Sequence, residues 1–302
     1  MGYERTCNDG GANTAMPKCR GDYGRIQAWL LVPPTAEIDT EANALLEVTW
    51  LTKIKADESV RWYPLPKFFR YEPSREDHIY TMGDFNDKYS VKDGDADGLA
   101  SYLNAPICFV KKIREFNNQN WKAYGITDKG YIRGWTTDGI KFLPFSIFFH
   151  VEADIEPTNE EGRLTPIRVY MNEAFEWGDY GAVINPKDDA IATWDPRLLA
   201  GLLDVTAEKV GVPTSTEVIV DVQGECDDTP ITGLVSADFL IEDSSDVAQT
   251  ISGAVESSTI AGRYTLTVTT MSADTYSLNL KEPSAMTTLG YQAGTADSFV
   301  IS

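Results

Sequence analysis

Gly262-Arg263-Tyr264-Thr265-Leu266-Thr267-Val268 and Ala273-Asp274-Thr275-Tyr276-Ser277-Leu278-Asn279-Leu280 decide how the last third of this chain folds. In each stretch every second residue is apolar: Tyr264, Leu266 and Val268 in the first, Tyr276, Leu278 and Leu280 in the second. Successive side chains of a strand point to opposite faces, so this period of two predicts half-buried strands. Thr216-Glu217-Val218-Ile219-Val220-Asp221-Val222 repeats the pattern upstream, and the polar turns between such runs fall at the spacing of a β-sandwich. Residues 213–302 carry thirteen Asp/Glu against two Lys/Arg (Arg263, Lys281), one Cys (Cys226), and no His or Trp. That inventory offers a surface or a spacer and no catalytic groups. Pro213-Thr214-Ser215-Thr216 is the most linker-like stretch, and the expected boundary lies there.

The 302 residues suit about two domains. An apolar content of 42% is enough for packed cores, and the formal net charge is −20. The first 212 residues hold the remaining 33 acidic and 24 basic side chains, so both parts are acidic. Tight binding to a polyanion needs clustered Lys/Arg, which disfavours nucleic acid as a bound partner. The first residues lack the basic and apolar regions of a secretory leader, and no run approaches the roughly 18 apolar residues of a membrane span. The sequence therefore predicts a protein made in a cytosol, with no membrane association. Cys7 and Cys19 are expected as free thiols in that compartment, and Cys108, in Ile107-Cys108-Phe109-Val110, as a small buried hydrophobe.

Residues 1–24 are polar, Gly-rich and aperiodic, and read as an N-terminal arm. From there to residue 212 the expected elements are mostly strands. They are 25–32, 48–54, 107–116, 122–127, 131–135, 140–149 and 163–171, with a hairpin formed by 76–82 and 88–92. Leu99-Ala100-Ser101-Tyr102-Leu103 has helical spacing and stops before Pro106, so a short helix is expected there. Trp62-Tyr63-Pro64-Leu65-Pro66-Lys67-Phe68-Phe69-Arg70-Tyr71 reads as an edge or extended arm, because its prolines cannot donate to a central ladder. Residues 172–189 read as turns, and 195–211 as a short helix or the exit from the first domain. The fold class is mainly β: a sandwich or barrel with one short flanking helix and extended arms, followed by a β-sandwich.

The C-terminal strands, with Thr229-Pro230-Ile231-Thr232-Gly233-Leu234 and Ala237-Asp238-Phe239 between them, resemble bacterial immunoglobulin-like domains of the invasin type. In residues 70–170 the order of elements resembles structural proteins of tailed phages and prophages, tail-tube subunits in particular. The elements concerned are Glu76-Asp77 to Tyr80, Lys88-Tyr89-Ser90-Val91-Lys92-Asp93-Gly94, a short helix, Ile107 to Val110, and Tyr124-Gly125-Ile126-Thr127-Asp128-Lys129-Gly130-Tyr131-Ile132-Arg133-Gly134. The resemblance implies a virion protein of the phage tail with no enzymatic activity and no cofactor. Its partners would be copies of itself, in hexameric and stacked rings, and other virion proteins. DNA would pass through without specific binding, and host-surface glycans would be met through the outward C-terminal domain. A capsid decoration, collar or head-fibre protein is the neighbouring alternative, and a carbohydrate-binding adhesin a third, since exposed Trp and Tyr rings stack on sugars.

Candidate subunit-interface residues are Trp62, Phe68 and Phe69 in the proline-interrupted segment and Phe145, Phe148 and Phe149 in the apolar run. Asp93-Gly94-Asp95-Ala96-Asp97-Gly98 opens like a calcium loop, with Asp93, Asp95 and Asp97 as ligands. Its twelfth position is Asn104 where an EF-hand needs Glu, so the better reading is an acidic turn. His78 and His150 sit in no metal-binding pattern. Glu173 and Glu176 form a carboxylate pair of the kind any acidic chain offers by chance.

Overall fold

The computed structural model describes residues 4–5, 23–75, 79–82, 88–92, 96–158, 161–178, 180–186, 193–281 and 290–301. The chain is mainly β and divides into two compact units, 1–201 and 202–302.

Strand β1 (Glu4–Arg5) opens the first unit, followed by β2 (Ile26–Val32), whose sequence is apolar at nearly every position because both its faces are covered. Trp29 and Leu31 join one core, and Ala28, Leu30 and Val32 join another. Helices α1 (Glu41–Leu45) and α2 (Glu47–Ile54) come next. A helix replaces the strand expected at 48–54: Trp50 and Ile54, one turn apart, are buried, while Val48 is 64% exposed. The apolar period of α2 is therefore 3.6; Thr40 caps the preceding α1 by accepting from the Asn43 N–H.

Short β3 (Tyr63–Pro64) pairs with β2, and the extended chain follows β2 further through Leu65 N–H to Trp29 O (2.9 Å) and Phe68 N–H to Gln27 O (2.8 Å). It continues as β4 (Arg70–Arg75), which pairs with β7 (Ala96–Leu103). Strand β7 corrects the helix expected at 99–103. Ala100 and Tyr102 face inward between two neighbours, and that burial on alternate residues overrides local helical spacing. From β7 the ladder runs to β11 (Leu164–Met171), β10 (Phe145–Val151) and β8 (Trp121–Thr127), and β8 returns to β2. The sheet β2, β8, β10, β11, β7, β4 curls into an antiparallel half-barrel, and the 63–68 chain bonded to β2 runs on into β4 bonded to β7.

Between β4 and β7 stands the expected hairpin, β5 (Ile79–Met82) against β6 (Lys88–Lys92). Helix α3 (Ile107–Arg114) replaces the strand expected at 107–116. Its Val110 and Ile113 pack into the barrel core, Pro106 precedes its first turn, and Lys111, Lys112 and Arg114 lie in its last turn, where the helix dipole favours cations. The Asn117 side chain holds the end of β10 by bonding both the N–H and the C=O of Val151, so the helical segment closes one end of the barrel.

Strand β9 (Ile132–Trp135) branches from β8 and carries β12 (Gly181–Ile184), which in turn pairs with β1. Strand β12 and helix α4 (Ala174–Gly178) lie in a segment read as turns. A second core covers the outer side of β2, where Trp50, Trp62, Trp194 and Tyr124 meet at ring separations of 5.1–6.3 Å. Trp50 and Trp194 donate their indole N–H groups to Ala44 O and Leu45 O, so these buried rings leave no polar atom stranded.

The second unit begins earlier than Pro213. Leu203–Val210, expected as helix or exit segment, is strand β13. It pairs antiparallel with β14 (Glu217–Gly224) and parallel with β19 (Tyr291–Ile301). One sheet contains β13, β14, β17 (Arg263–Val268) and β16 (Ile251–Glu256); the other contains β15 (Phe239–Asp243), β18 (Asp274–Leu280) and β19. Numbered within the unit, strands 1, 2, 5 and 4 face 3, 6 and 7, the arrangement of a constant-type immunoglobulin sandwich. Tyr276, near the start of the sixth strand, donates its hydroxyl to Ser272 O at 3.0 Å, which is the tyrosine corner of that fold. Leu278, where an antibody domain places a cysteine, is fully buried. Gly262 is a required glycine: its φ is +75°, and a Cβ there would lie 2.7 Å from Val222 O.

Candidate functional site

The end of the barrel opposite α3 encloses a cavity of about 690 Å³. Each wall comes from a strand or helix end. β2 supplies Ile26, β4 supplies Tyr71, β7 supplies Ala96 and Asp97, β9 supplies Arg133, β11 supplies Met171, and α4 supplies Trp177. Alternation along β4 and β11 turns Tyr71 and Met171 inward, while the outward neighbours Glu72 and Tyr170 remain exposed.

Tyr71 lies across β7 at Gly98, where a Cβ would come within 2.4 Å of its hydroxyl oxygen, so glycine is what admits the ring. The ring stacks on Phe68 (6.3 Å) and meets Trp29 edge-on (6.4 Å). Burial pushes its pKa up to about 12, with the Arg133 guanidinium pulling it down and Asp97 pushing it up. The hydroxyl therefore stays a donor throughout the accessible pH range. The Arg133 guanidinium lies 5.5 Å from the centre of the Trp177 ring and donates to Gly24 O at 2.9 Å. The cavity thus offers a neutral phenol, a guanidinium and a carboxylate over apolar and aromatic walls. Among the described residues no nucleophile there is seated against a base, and the elevated Tyr71 pKa unsuits that group to proton abstraction near neutral pH.

Of the interface residues read from the sequence, Trp62, Phe68, Phe145 and Phe149 are buried in the unit's own cores, at 0–4% exposure. They serve folding and are not available to a partner. Phe69 (53% exposed) and Phe148 (40%) face outward. Phe148 stands directly across the ladder from Tyr170 and stacks on His150 at 6.2 Å, forming an aromatic strip on the outer barrel wall.

Among the described residues no cluster of three or more His, Cys, Asp or Glu could hold a metal ion. Asp93, Asp95, Cys7, Cys19 and His78 lie outside the described residues; Asp97 lines the cavity. Glu176 is no partner for Glu173. It is buried and accepts from the Ser146 N–H (2.6 Å) and hydroxyl (2.8 Å), and burial raises its pKa. Cys108 and Cys226 are both disulfide-bonded, which corrects the reading of Cys108 as a lone buried hydrophobe. Spacing alone could not have shown this, since neither lies in a paired motif.

The cavity was missed in the sequence because Tyr71, Asp97, Arg133 and Trp177 come from separate elements with no common motif; the curl of the sheet alone brings them together. Among the described residues no helix is long and apolar enough to cross a membrane. No protein-family model matches the chain, and no curated protein is similar to it in sequence.

Proposed function

We propose that this protein is a virion structural component of a tailed phage or prophage, a tail-tube subunit that assembles into stacked rings around the path of the DNA. The observation that carries the reading is the plan of the first unit: an antiparallel half-barrel flanked by α3, with the β5–β6 hairpin inserted between two neighbouring barrel strands. That combination of barrel, flanking helix and hairpin arm is what the resemblance to tail-tube subunits implies. The immunoglobulin-like unit then acts as a decoration, and its acidic composition keeps it soluble. Repetition of one heterologous contact generates rings, and the exposed Phe148–Tyr170 strip supplies apolar surface for such a contact. An overall charge of −20 suits a conduit that DNA passes without adhering. Disulfides at Cys108 and Cys226 suit a protein that works beyond a reducing cytosol, as a released particle does.

Sedimentation of the purified chain tests the proposal. The wild type is expected as ring-sized or larger species, and Phe148→Ser as smaller species with an unchanged circular dichroism spectrum. Identical assembly of the variant would remove the strip from the contact, and a wild type that is monomeric at every concentration would refute the proposal.

A further inference from the structure

The barrel-mouth cavity contains polar groups that the fold leaves unused. Among the described residues the Tyr71 hydroxyl and the Asp97 carboxylate make no hydrogen bond and no ion pair, although both line the cavity. The volume falls in the range of ligand sites, roughly 300–1,000 Å³, and barrel mouths are a common place for them.

The chemistry of the walls selects among occupants. A purely apolar ligand would strand the phenol and the carboxylate away from water, which is costly. An anion in the cavity would face the Asp97 carboxylate, and a cation drawn to Asp97 would also face the Arg133 guanidinium. A neutral ring bearing several hydroxyls satisfies both groups. One hydroxyl donates to Asp97, another accepts from Tyr71, and the C–H face lies on Met171 and Trp177. We infer that the barrel mouth binds a neutral saccharide unit. This inference stands independently of the assembly proposal, because the cavity lies within one barrel and its lining includes none of the outward aromatic strip.

Titration of the full chain with the methyl glycosides of glucose, galactose, mannose and N-acetylglucosamine tests it. Saturation-transfer NMR and intrinsic fluorescence, to which Trp177 contributes, are the readouts, with benzoate and inorganic phosphate as anionic probes. At least one glycoside should bind. Tyr71→Phe, which keeps the ring and removes one oxygen, should weaken it about tenfold, as should Asp97→Asn, with both variants retaining the wild-type circular dichroism spectrum. Binding of benzoate or phosphate in preference to all four glycosides overturns the inference. So does binding of none of the probes, or glycoside affinity left unchanged in both folded variants.

Discussion

Glu176 shows how a residue that reads as chemistry in the sequence acts as architecture in the fold. Its carboxylate anchors the start of β10 through Ser146, with Lys122 and Glu173 nearby, and burial holds its pKa above the ordinary carboxylate value. A carboxyl whose pKa is raised on folding contributes stability that is complete below its unfolded pKa and is lost as pH rises through the folded value. Glu176→Gln keeps both bonds, the amide N–H₂ donating to the Ser146 hydroxyl, and removes the titration. The variant should therefore gain stability relative to wild type as pH rises from about 4 toward 7. All seven Trp lie in the first 201 residues, so urea unfolding followed by fluorescence reads this unit. A wild-type minus variant difference that stays flat with pH would count against the buried carboxylate. In the second unit, Tyr276→Phe removes the bond to Ser272 and should cost about 1 kcal/mol, seen as faster hydrogen exchange in β17 and β18. The aromatic run at 140–149 shows what was legible at this scale. Its apolarity was plain, but which rings face out depended on the strand starting at Phe145, after Pro144. That parity turns Phe145, Ile147 and Phe149 in and Phe148 out.

Three elements exchanged type between sequence and structure, each for a stated cause. Val48–Ile54 and Ile107–Phe116 are rich in β-branched and aromatic residues, yet they bury Trp50 with Ile54 and Val110 with Ile113, at helical spacing. Leu99–Leu103 has helical spacing but lies in β7 between β4 and β11, where ladder pairing on both sides decides. Short apolar runs do not distinguish the two periods, and tertiary contact settles them. Runs closed by a turn, such as β8 with Asp128-Lys129-Gly130, were legible even where both faces are buried and alternation is lost. Helix α3 tests the element's role. Ile113→Ala should destabilise the barrel unit by about 3 kcal/mol through the cavity it leaves, measured by the same fluorescence-detected unfolding. Lys111→Ala, at an exposed position, should be near neutral. Equal effects of the two would mean that α3 does not seal the core.

At the scale of the whole chain, the mainly β character and a C-terminal sandwich follow from alternation and turn spacing, and the resemblance to bacterial immunoglobulin-like domains implied its strand plan. The division of the chain was less legible. Leu203–Val210 carries Asp204, Thr206 and Glu208 on one face and reads as a short helix or the exit from the first domain, but its Val205 and Ala207 belong to the sandwich core. The curl of the sheet was invisible because it joins β2 to β8 and to the 63–68 chain across long sequence separations. The assembly reading rests on that half-barrel presenting a few outward aromatics while keeping its other large rings for its own cores. Negative-stain electron microscopy of the purified chain tests it most directly. The account predicts rings with a central channel, alone or stacked into tubes, and a field of single monomer-sized particles at every protein concentration would contradict it.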